Sequence, residues 1–318
     1  MAIRKKPTTN NQAGLSLWTT LPSIYESELM EEMIAHPDVD AVRYNTGMRC
    51  DISAEEILAI ILKLTQKYNK PPPLIDLKGR QLRVIRWAKP PYGPILLNHP
   101  IEVPVPAHVY LRGEDGAFTI RKIANGNEIY LSPQPKYEVG EGQSVNIVSR
   151  ELRILDGYFV NKDIEFIAAA KKFGIKDFLF SFTEFRDDIV TFSKALRDIK
   201  NPRMILKIES TNGLDLVRTQ TEMFKNCRYM AARDDLVIHI GNLEATIASR
   251  EIVQRDREAI CASRLLLGLE TTGEVTLADV SDLELMQRFG YKHFMLSDGI
   301  SHRHFKKATN FWAEYKKT

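Results

Sequence analysis

The sequence has few cysteines, no long apolar stretch and almost no excess of charge. The three cysteines, Cys50, Cys227 and Cys261, are odd in number and far apart, so neither a disulfide framework nor a zinc site is expected. No apolar stretch reaches the length of a membrane span. The 44 basic and 41 acidic residues leave a net charge of only +3, which is too little to indicate nucleic acid as the partner.

The N-terminal residues also lack the apolar core of a secretory signal. Arg4, Lys5 and Lys6 give a basic start, but residues 7–14 are polar. No secretory signal is therefore expected, and the basic residues at both ends are interpreted as solvated tails. Together these absences predict a cytoplasmic protein with neither a membrane nor nucleic acid as its partner.

What the sequence does contain is an ordinary globular composition, 44% hydrophobic and 27% charged, with strand and helix signals in alternation. Such alternation predicts a parallel sheet or barrel. A capping box at Ser53 and Glu56 marks the start of the second helix. Helices are predicted at 27–35, 53–68, 187–199, 212–224, 243–262 and 280–289, one begins at Asn161, and one ends near Tyr315. Strands are predicted at 15–20, 41–45, 74–77, 178–182, 204–209, 229–232, 265–269 and 293–296. Eight strands are the number of a closed (β/α)8 TIM barrel, and an open doubly wound sheet is the alternative.

The helix signals stop between residues 84 and 153. Glu114-Asp115-Gly116 and Asn125-Gly126 are turn signals between apolar, strand-like runs, and several prolines interrupt this stretch. We interpret it as a small all-β lid domain inserted after the third strand. The fold class predicted is thus α/β, with a barrel domain at 1–83 and 154–318 and a lid domain at 84–153.

Polar residues follow several of the predicted strands. Barrel enzymes keep their chemistry at the carboxyl ends of the strands, and residues two apart on a strand face the same way. Arg43 and Asn45, Asp76 and Lys78, and Lys207 and Glu209 are three such pairs. Asp235 and Thr271 follow two further strands.

These residue types suit a metal ion and an anionic substrate. Glu209 and Asp235 offer hard oxygen ligands of the kind that Mg²⁺ or Mn²⁺ prefers. Arg43 and Lys207 offer positive charge to a phosphoryl group or to a developing enolate. The alternative is that each is a strand-end charge in a structural salt bridge, but the combination on five strand ends favours a site.

Five segments along the chain form a recognisable series. They are DLKGRQLR at 76–83, MILKIE at 204–209 followed by Gly213, MAARDDL at 230–236, ADVSD at 278–282 and FMLS at 294–297. On these segments the chain resembles the pyruvate kinase family, whose barrel binds phosphoenolpyruvate and pyruvate. The resemblance runs in order along the whole chain, with the lid in the matching place. It ends with the barrel, so we expect a form without that family's C-terminal domain.

The resemblance implies a transferase that moves a phosphoryl group between phosphoenolpyruvate and ADP through a metal-bound pyruvate enolate. It implies Mg²⁺ or Mn²⁺, with K⁺ as a second cofactor, and phosphoenolpyruvate, pyruvate or a related 2-oxo acid with ADP or ATP as ligands. The oligomeric state stays open, with a homo-oligomer among the alternatives. The implied roles are Lys207, Arg43 and Thr271 in catalysis, Glu209 and Asp235 on the divalent ion, Asn45, Thr46 and Asp76 on the monovalent ion, and Arg83 and Lys78 on the nucleotide.

The sequence also departs from that family. Asp234 stands where the family has a glycine, Leu77 stands where it has a threonine, and the loop after Thr271 is much shorter. Two alternatives therefore stay open. One is a metal-dependent lyase or aldolase that uses a pyruvate enolate, and the other is a non-catalytic binding protein on a degenerate barrel.

Overall fold

A closed barrel of parallel strands forms the frame of the computed structural model, which describes residues 14–111 and 116–317. The described strands are β1 Ser16–Thr20, β2 Val39–Asn45, β3 Leu74–Leu77, β4 Ile95–Leu96, β5 Ile101–Glu102, β6 Ala107–Leu111, β7 Phe118–Ala124, β8 Glu128–Ser132, β9 Val145–Val148, β10 Arg153–Ile154, β11 Asp177–Phe180, β12 Arg203–Ile208, β13 Cys227–Ala232, β14 Ile260–Ala262 and β15 His293–Met295. The barrel runs β1-β15-β14-β13-β12-β11-β3-β2 and closes β2 on β1. The predicted eight-stranded α/β barrel is confirmed, and the open sheet is wrong.

Helices follow the barrel strands and cover them. They are α1 Ser27–Ala35, α2 Ala54–Lys67, α3 Asn161–Phe173, α4 Arg186–Ala195, α5 Thr211–Thr219, α6 Arg233–Arg255, α7 Leu267–Thr272, α8 Leu277–Phe289, α9 Asp298–Arg303 and α10 Phe305–Tyr315. The predicted capping box forms at α2, where the Ser53 hydroxyl accepts from the Glu56 amide. Within residues 14–111 and 116–317, no helix is long and apolar enough to cross a membrane.

The inside of the barrel changes from apolar to charged along the strands. Leu74, Ile205 and Met230 belong to the apolar cluster inside the barrel. Asp76 and Lys207 lie two residues further along the same strands as Leu74 and Ile205, so they share the inward face. Because every second residue of a strand faces inward, these charged side chains lie inside the barrel at the carboxyl ends of the strands.

The segment between residues 84 and 153, which we call the insertion, consists of β-structure. It contains a five-stranded antiparallel sheet in the order β4-β8-β7-β6-β9, a two-stranded pair β10-β5, and its own buried apolar cluster. Its one helical element among the described residues is a short 3-10 helix, Pro90–Tyr92. The predicted hairpin forms between β6 and β7, although Glu114 and Asp115 of its turn lie outside the described residues.

The chain enters and leaves the insertion at one place on the barrel. The Asp163 carboxylate at the start of α3 accepts from the amides of Lys78 and Gly79, both at 2.9 Å. Gly79 has a positive φ of 47°, and a Cβ there would lie 2.3 Å from the Tyr158 ring. The Tyr158 hydroxyl in turn donates to the carbonyl of Ser181. Both connections are thus fixed to the barrel rim.

Late in the chain, one predicted strand is wrong and one predicted helix has other bounds. The seventh strand, predicted at 265–269, is Ile260–Ala262, and the leucine-rich run that follows begins the helix α7. The helix predicted at 243–262 instead runs Arg233–Arg255, with a kink at Gly241. A contact distant in sequence favours the helix over the predicted strand, because the Asp279 carboxylate accepts from the amides of Gly268 and Leu269 and caps the first turn of α7.

Candidate active site

A cleft of about 420 Å³ opens at the carboxyl ends of the barrel strands, under the insertion. The barrel contributes the charged wall and the insertion contributes the opposite wall. The lining includes Arg43, Asn45, Lys78, Arg83, Asn146, Lys207, Glu209, Asp234, Asp235 and Asp298. The fold therefore brings most of the residues singled out in the sequence into one cavity.

One side of the cleft, which we call the Asp76 side, is a buried ion network formed by Arg43, Asp76, Lys78 and Asp298. Asp76 is fully buried, and its Oδ2 accepts from Arg43 Nε at 2.9 Å and from Lys78 Nζ at 2.8 Å. The Arg43 NH1 group donates to Asp298 Oδ1 and to the Thr20 hydroxyl, both at 2.8 Å. Four hydrogen bonds thus occupy most of the donors of Arg43.

The charges on the Asp76 side stabilise one another. Burial by itself would raise the pKa of the Asp76 carboxyl, but Arg43, Lys207 and Lys78 outweigh burial and hold that pKa well below its usual range. Burial would likewise raise the pKa of the Asp298 carboxyl, but Arg43 and Lys78 outweigh burial and lower that pKa. Burial lowers the pKa of Lys78 to about 7, and the neighbouring cations add to the effect. Both carboxylates stay charged at neutral pH.

The other side, which we call the Glu209 side, consists of Lys207, Glu209 and Asp235. Lys207 Nζ donates to the Ser181 hydroxyl at 2.9 Å and lies 3.0 Å from Glu209 Oε1 and 3.6 Å from Asp76 Oδ1. Glu209 Oε2 accepts from the Phe182 amide at 2.6 Å. Phe182 has a positive φ of 50°, an uncommon conformation for a bulky residue, and it directs this amide at the carboxylate.

The Glu209 side has unbalanced negative charge. Burial raises the pKa of the Glu209 carboxyl, and the nearby Asp235 carboxylate raises it further against the opposing effect of Lys207. The pKa of Lys207 is raised because Asp76 and Glu209 outweigh its burial. Lys207 is therefore a charged ammonium at neutral pH, and Glu209 is a carboxylate that a further cation would stabilise.

The Glu209 side fits a divalent cation. Glu209 Oε1 is buried and, among the described residues, receives no hydrogen bond of good geometry. Two carboxylates at this site meet the usual protein contribution to Mg²⁺, which keeps its other positions for water and substrate oxygens. Glu209 and Asp235 would be the carboxylate ligands, since both line the cleft. Within the described chain, no group of three or more His, Cys, Asp or Glu side chains is placed to hold a metal ion.

The residues expected to hold a monovalent cation already bond to the protein itself, although Asp76 Oδ1 accepts no hydrogen bond among the described residues. Asn45 Oδ1 accepts from the Gly47 amide at 3.0 Å, and the Thr46 hydroxyl donates to the carbonyl of Asp76 at 2.8 Å. The Asp76 carboxylate faces Arg43, Lys78 and Lys207. The structure brings these residues together, but cations of the protein itself already surround the one carboxylate among them.

Arg83 and Lys78 both line the cleft. Arg83 donates from NH1 to the carbonyl of Gly142 and from NH2 to Gln81 Oε1, both at 2.8 Å. Lys78 points to Asp76 at the cleft floor. These contacts hold Arg83 against the insertion while it remains on the cleft wall.

Thr271 is the one predicted site residue that the structure places elsewhere. It lies in α7 and is exposed, and its hydroxyl donates to the carbonyls of Leu267 and Gly268 in its own helix. It lines a separate cavity beside α6 and α8. The cause is the displaced seventh strand, which ends at Ala262 and puts Ser263 and Arg264 at the cleft instead.

Sequence reasoning also missed Asp298, Ser181 and Asn146, which bond to predicted residues of the site. Asp298 accepts from Arg43 and from Asn45 Nδ2, the latter at 2.9 Å. Its position just after the last strand was the available signal. Ser181 likewise comes directly after its strand, β11, and its hydroxyl accepts a hydrogen bond from Lys207. Asn146 reaches the cleft from β9 and donates to Asp235 Oδ1 at 2.9 Å, and no local pattern indicates it.

Comparison of the chain with protein-family models and with curated proteins finds no match.

Proposed function

We propose that this protein is a metal-dependent phosphotransferase resembling the pyruvate kinase family, acting on phosphoenolpyruvate and a nucleoside diphosphate. The observation that carries the proposal is Lys207. Its ammonium lies 3.0 Å from Glu209 and faces the cleft beside Asp235. A fixed positive charge next to two carboxylates that suit a divalent ion matches the needs of a reaction in which negative charge moves between oxygens.

In the forward direction the bond between phosphorus and the enol oxygen breaks, and a bond to the terminal phosphate oxygen of the diphosphate forms. The enolate that remains takes a proton at its methylene carbon and becomes pyruvate. A divalent ion bound by Glu209 and Asp235 would supply charge stabilisation to phosphoryl and enolate oxygens. Lys207 places its ammonium against the same charge, and Ser181 fixes the direction of that ammonium.

The proton of the enolate needs a source other than Thr271, which lies outside the cleft. Lys78 lines the cleft and has a pKa lowered to about 7 by burial, which is the range suited to proton transfer at neutral pH. Arg43 orients Asp76 and Asp298 through its hydrogen bonds. The insertion acts as a lid that excludes water from the cleft during transfer.

The test combines metal binding with turnover. Titration calorimetry with Mn²⁺ should detect one site in the parent, and Glu209→Gln should weaken it while the fold stays intact. Lys207→Met should lower pyruvate formation from phosphoenolpyruvate and ADP by two to three orders of magnitude, because a prepositioned charge contributes about 3 to 4 kcal/mol to the transition state. Glu184→Gln is the matched control, since Glu184 is a half-buried glutamate that accepts from the Ser210 hydroxyl and lines a neighbouring cavity instead of this cleft. Equal Mn²⁺ affinity in Glu209→Gln and the parent would contradict the site.

A second candidate function is a metal-dependent lyase or aldolase that forms a pyruvate enolate. The observation that favours it is the engagement of Arg83, the residue assigned to nucleotide phosphates, with Gly142 and Gln81. The readout is exchange of the methyl protons of pyruvate with solvent, followed by NMR. Exchange without phosphoryl transfer would support this candidate, and inertness in both assays would favour a non-catalytic binding protein.

A further inference from the structure

Among the described residues, the insertion donates a hydrogen bond to the proposed metal site through one amide side chain, that of Asn146. Asn146 lies on β9 and is 6% exposed. Its Nδ2 donates to Asp235 Oδ1 at 2.9 Å. Its Oδ1 is buried and, among the described residues, accepts no hydrogen bond. A buried amide oxygen without a donor is unfavourable, so this contact satisfies only half of the Asn146 amide.

We infer that Asn146 is a ligand of the divalent ion, carried by the insertion, and that it couples closure of the lid to occupation of the site. This inference rests on the proposed function, because it requires the ion at Glu209 and Asp235. Amide oxygens are hard ligands that suit Mg²⁺ and Mn²⁺. A half-turn about the last side-chain torsion of Asn146 exchanges its nitrogen and oxygen, and the backbone need not move.

The observed separation suits that exchange. After the half-turn, Asn146 Oδ1 would lie where Nδ2 now lies, 2.9 Å from Asp235 Oδ1. Two adjacent oxygen ligands of an octahedral Mg²⁺ ion are about 2.8 to 3.0 Å apart, as follows from metal–oxygen distances of about 2.0 to 2.1 Å. Two bare oxygens at this distance repel one another, and a shared cation makes the same arrangement favourable. The ion would thus replace the hydrogen bond without displacing β9.

Other contacts across this interface cannot give the same coupling. Arg49 pairs with Glu141, and Arg150 pairs with Asp215 at 2.5 Å, but all four side chains are well exposed. Exposed ion pairs contribute little to stability, and neither of these pairs reaches the carboxylates of the Glu209 side. A bound ion would therefore stabilise the insertion over the cleft through Asn146.

The test measures Mn²⁺ affinity by titration calorimetry and lid closure by amide hydrogen exchange over residues 144–150. Asn146→Ala should weaken Mn²⁺ binding about tenfold, the scale for loss of a supporting ligand, and should abolish the protection that Mn²⁺ gives to β9. Asn146→Asp retains an oxygen ligand, so it should keep Mn²⁺ affinity at or above that of the parent. Without metal, Asn146→Asp should increase exchange, since it places a further carboxylate against Asp235.

Two controls separate ligation from simple lid contact. Arg150→Gln removes an exposed contact between insertion and barrel, and Asn127→Ala removes an amide that bonds Leu97 inside the insertion. Both should bind Mn²⁺ as the parent does. Parental affinity in Asn146→Ala, with weakened affinity in Glu209→Gln, would overturn the role of Asn146 alone. A parent that binds no Mn²⁺, or binds it equally well after Glu209→Gln, would overturn the metal site and this inference together.

Discussion

The two sides of the cleft contain similar residues but differ in charge balance. On the Asp76 side each carboxylate faces cations of the protein itself, and the pKa of Asp76 lies well below its usual range. On the Glu209 side two carboxylates approach each other, and the pKa of Glu209 is raised by burial and by Asp235. A buried charge with its partners in place contributes to the folded structure, whereas an excess charge marks a place for a ligand.

The largest effect expected from this difference is on stability. Asp76→Asn removes the carboxylate that Arg43, Lys78 and Lys207 share, and it should lower the free energy of unfolding by about 3 to 5 kcal/mol, since it leaves buried cations without their partner. Glu209→Gln, measured without metal, should cost far less, because it also removes an unfavourable carboxylate. Urea unfolding of the two variants and the parent gives the comparison. Equal losses of unfolding free energy in both variants would contradict the proposed difference in charge balance between the Asp76 side and the Glu209 side.

A second, smaller effect is the pH dependence of that stability. The folded pKa of Glu209 exceeds its usual value of 4.5, so above pH 4.5 the folded protein at first binds more protons than the unfolded chain. Its stability falls as the pH rises through that interval. The free energy of unfolding of Glu209→Gln relative to the metal-free parent should therefore increase as the pH rises from 4.5.

Asp76 should behave in the opposite way. Its folded pKa lies below the usual value of 3.8, so its contribution to stability is complete above pH 3.8 and is lost only as the pH falls further. Lys78 titrates near pH 7 beside Asp76, so the comparison is made in a Lys78→Met background. There, the difference that Asp76→Asn makes should stay constant from pH 5 to pH 8. Urea titrations at several pH values test both variants, and parallel pH profiles would contradict the assignment of the two pKa shifts.

The smallest effect is expected at Thr271, which belongs to neither side. Its hydroxyl bonds only to carbonyls of its own helix among the contacts described, so Thr271→Val should change the free energy of unfolding by no more than about 0.5 kcal/mol. Turnover of phosphoenolpyruvate should stay within about twofold of the parent, which corresponds to a similarly small energy. A loss of turnover comparable with that of Lys207→Met would show that α7 reaches the reacting groups.

Local patterns in the sequence predicted most of the frame. The third strand at Leu74–Leu77 and the first helix at Ser27–Ala35 have the predicted bounds, because apolar runs with clear stops fix such elements. Spacing of two residues on a strand also placed Asp76 with Lys78 and Lys207 with Glu209 at the cleft.

The errors arise where contacts distant in sequence decide the structure. Asp279 caps the helix that replaces the predicted seventh strand, and this interaction moved Thr271 out of the cleft. Asn146 meets Asp235 across 89 positions of the chain, so no window of sequence could pair them. The charge balance of the two sides likewise depends on which side chains meet and how deeply they are buried.

The common point at which the insertion joins the barrel has a consequence for how this chain can change. Gly79 on the way in touches Tyr158 on the way out, and Asp163 holds the entering strand. Among the described residues, the closed barrel contains no strand from the segment between those two residues. Evolution or protein engineering could therefore lengthen, shorten or exchange the insertion and so alter which molecules enter the cleft. The charged residues at the strand ends would keep their positions.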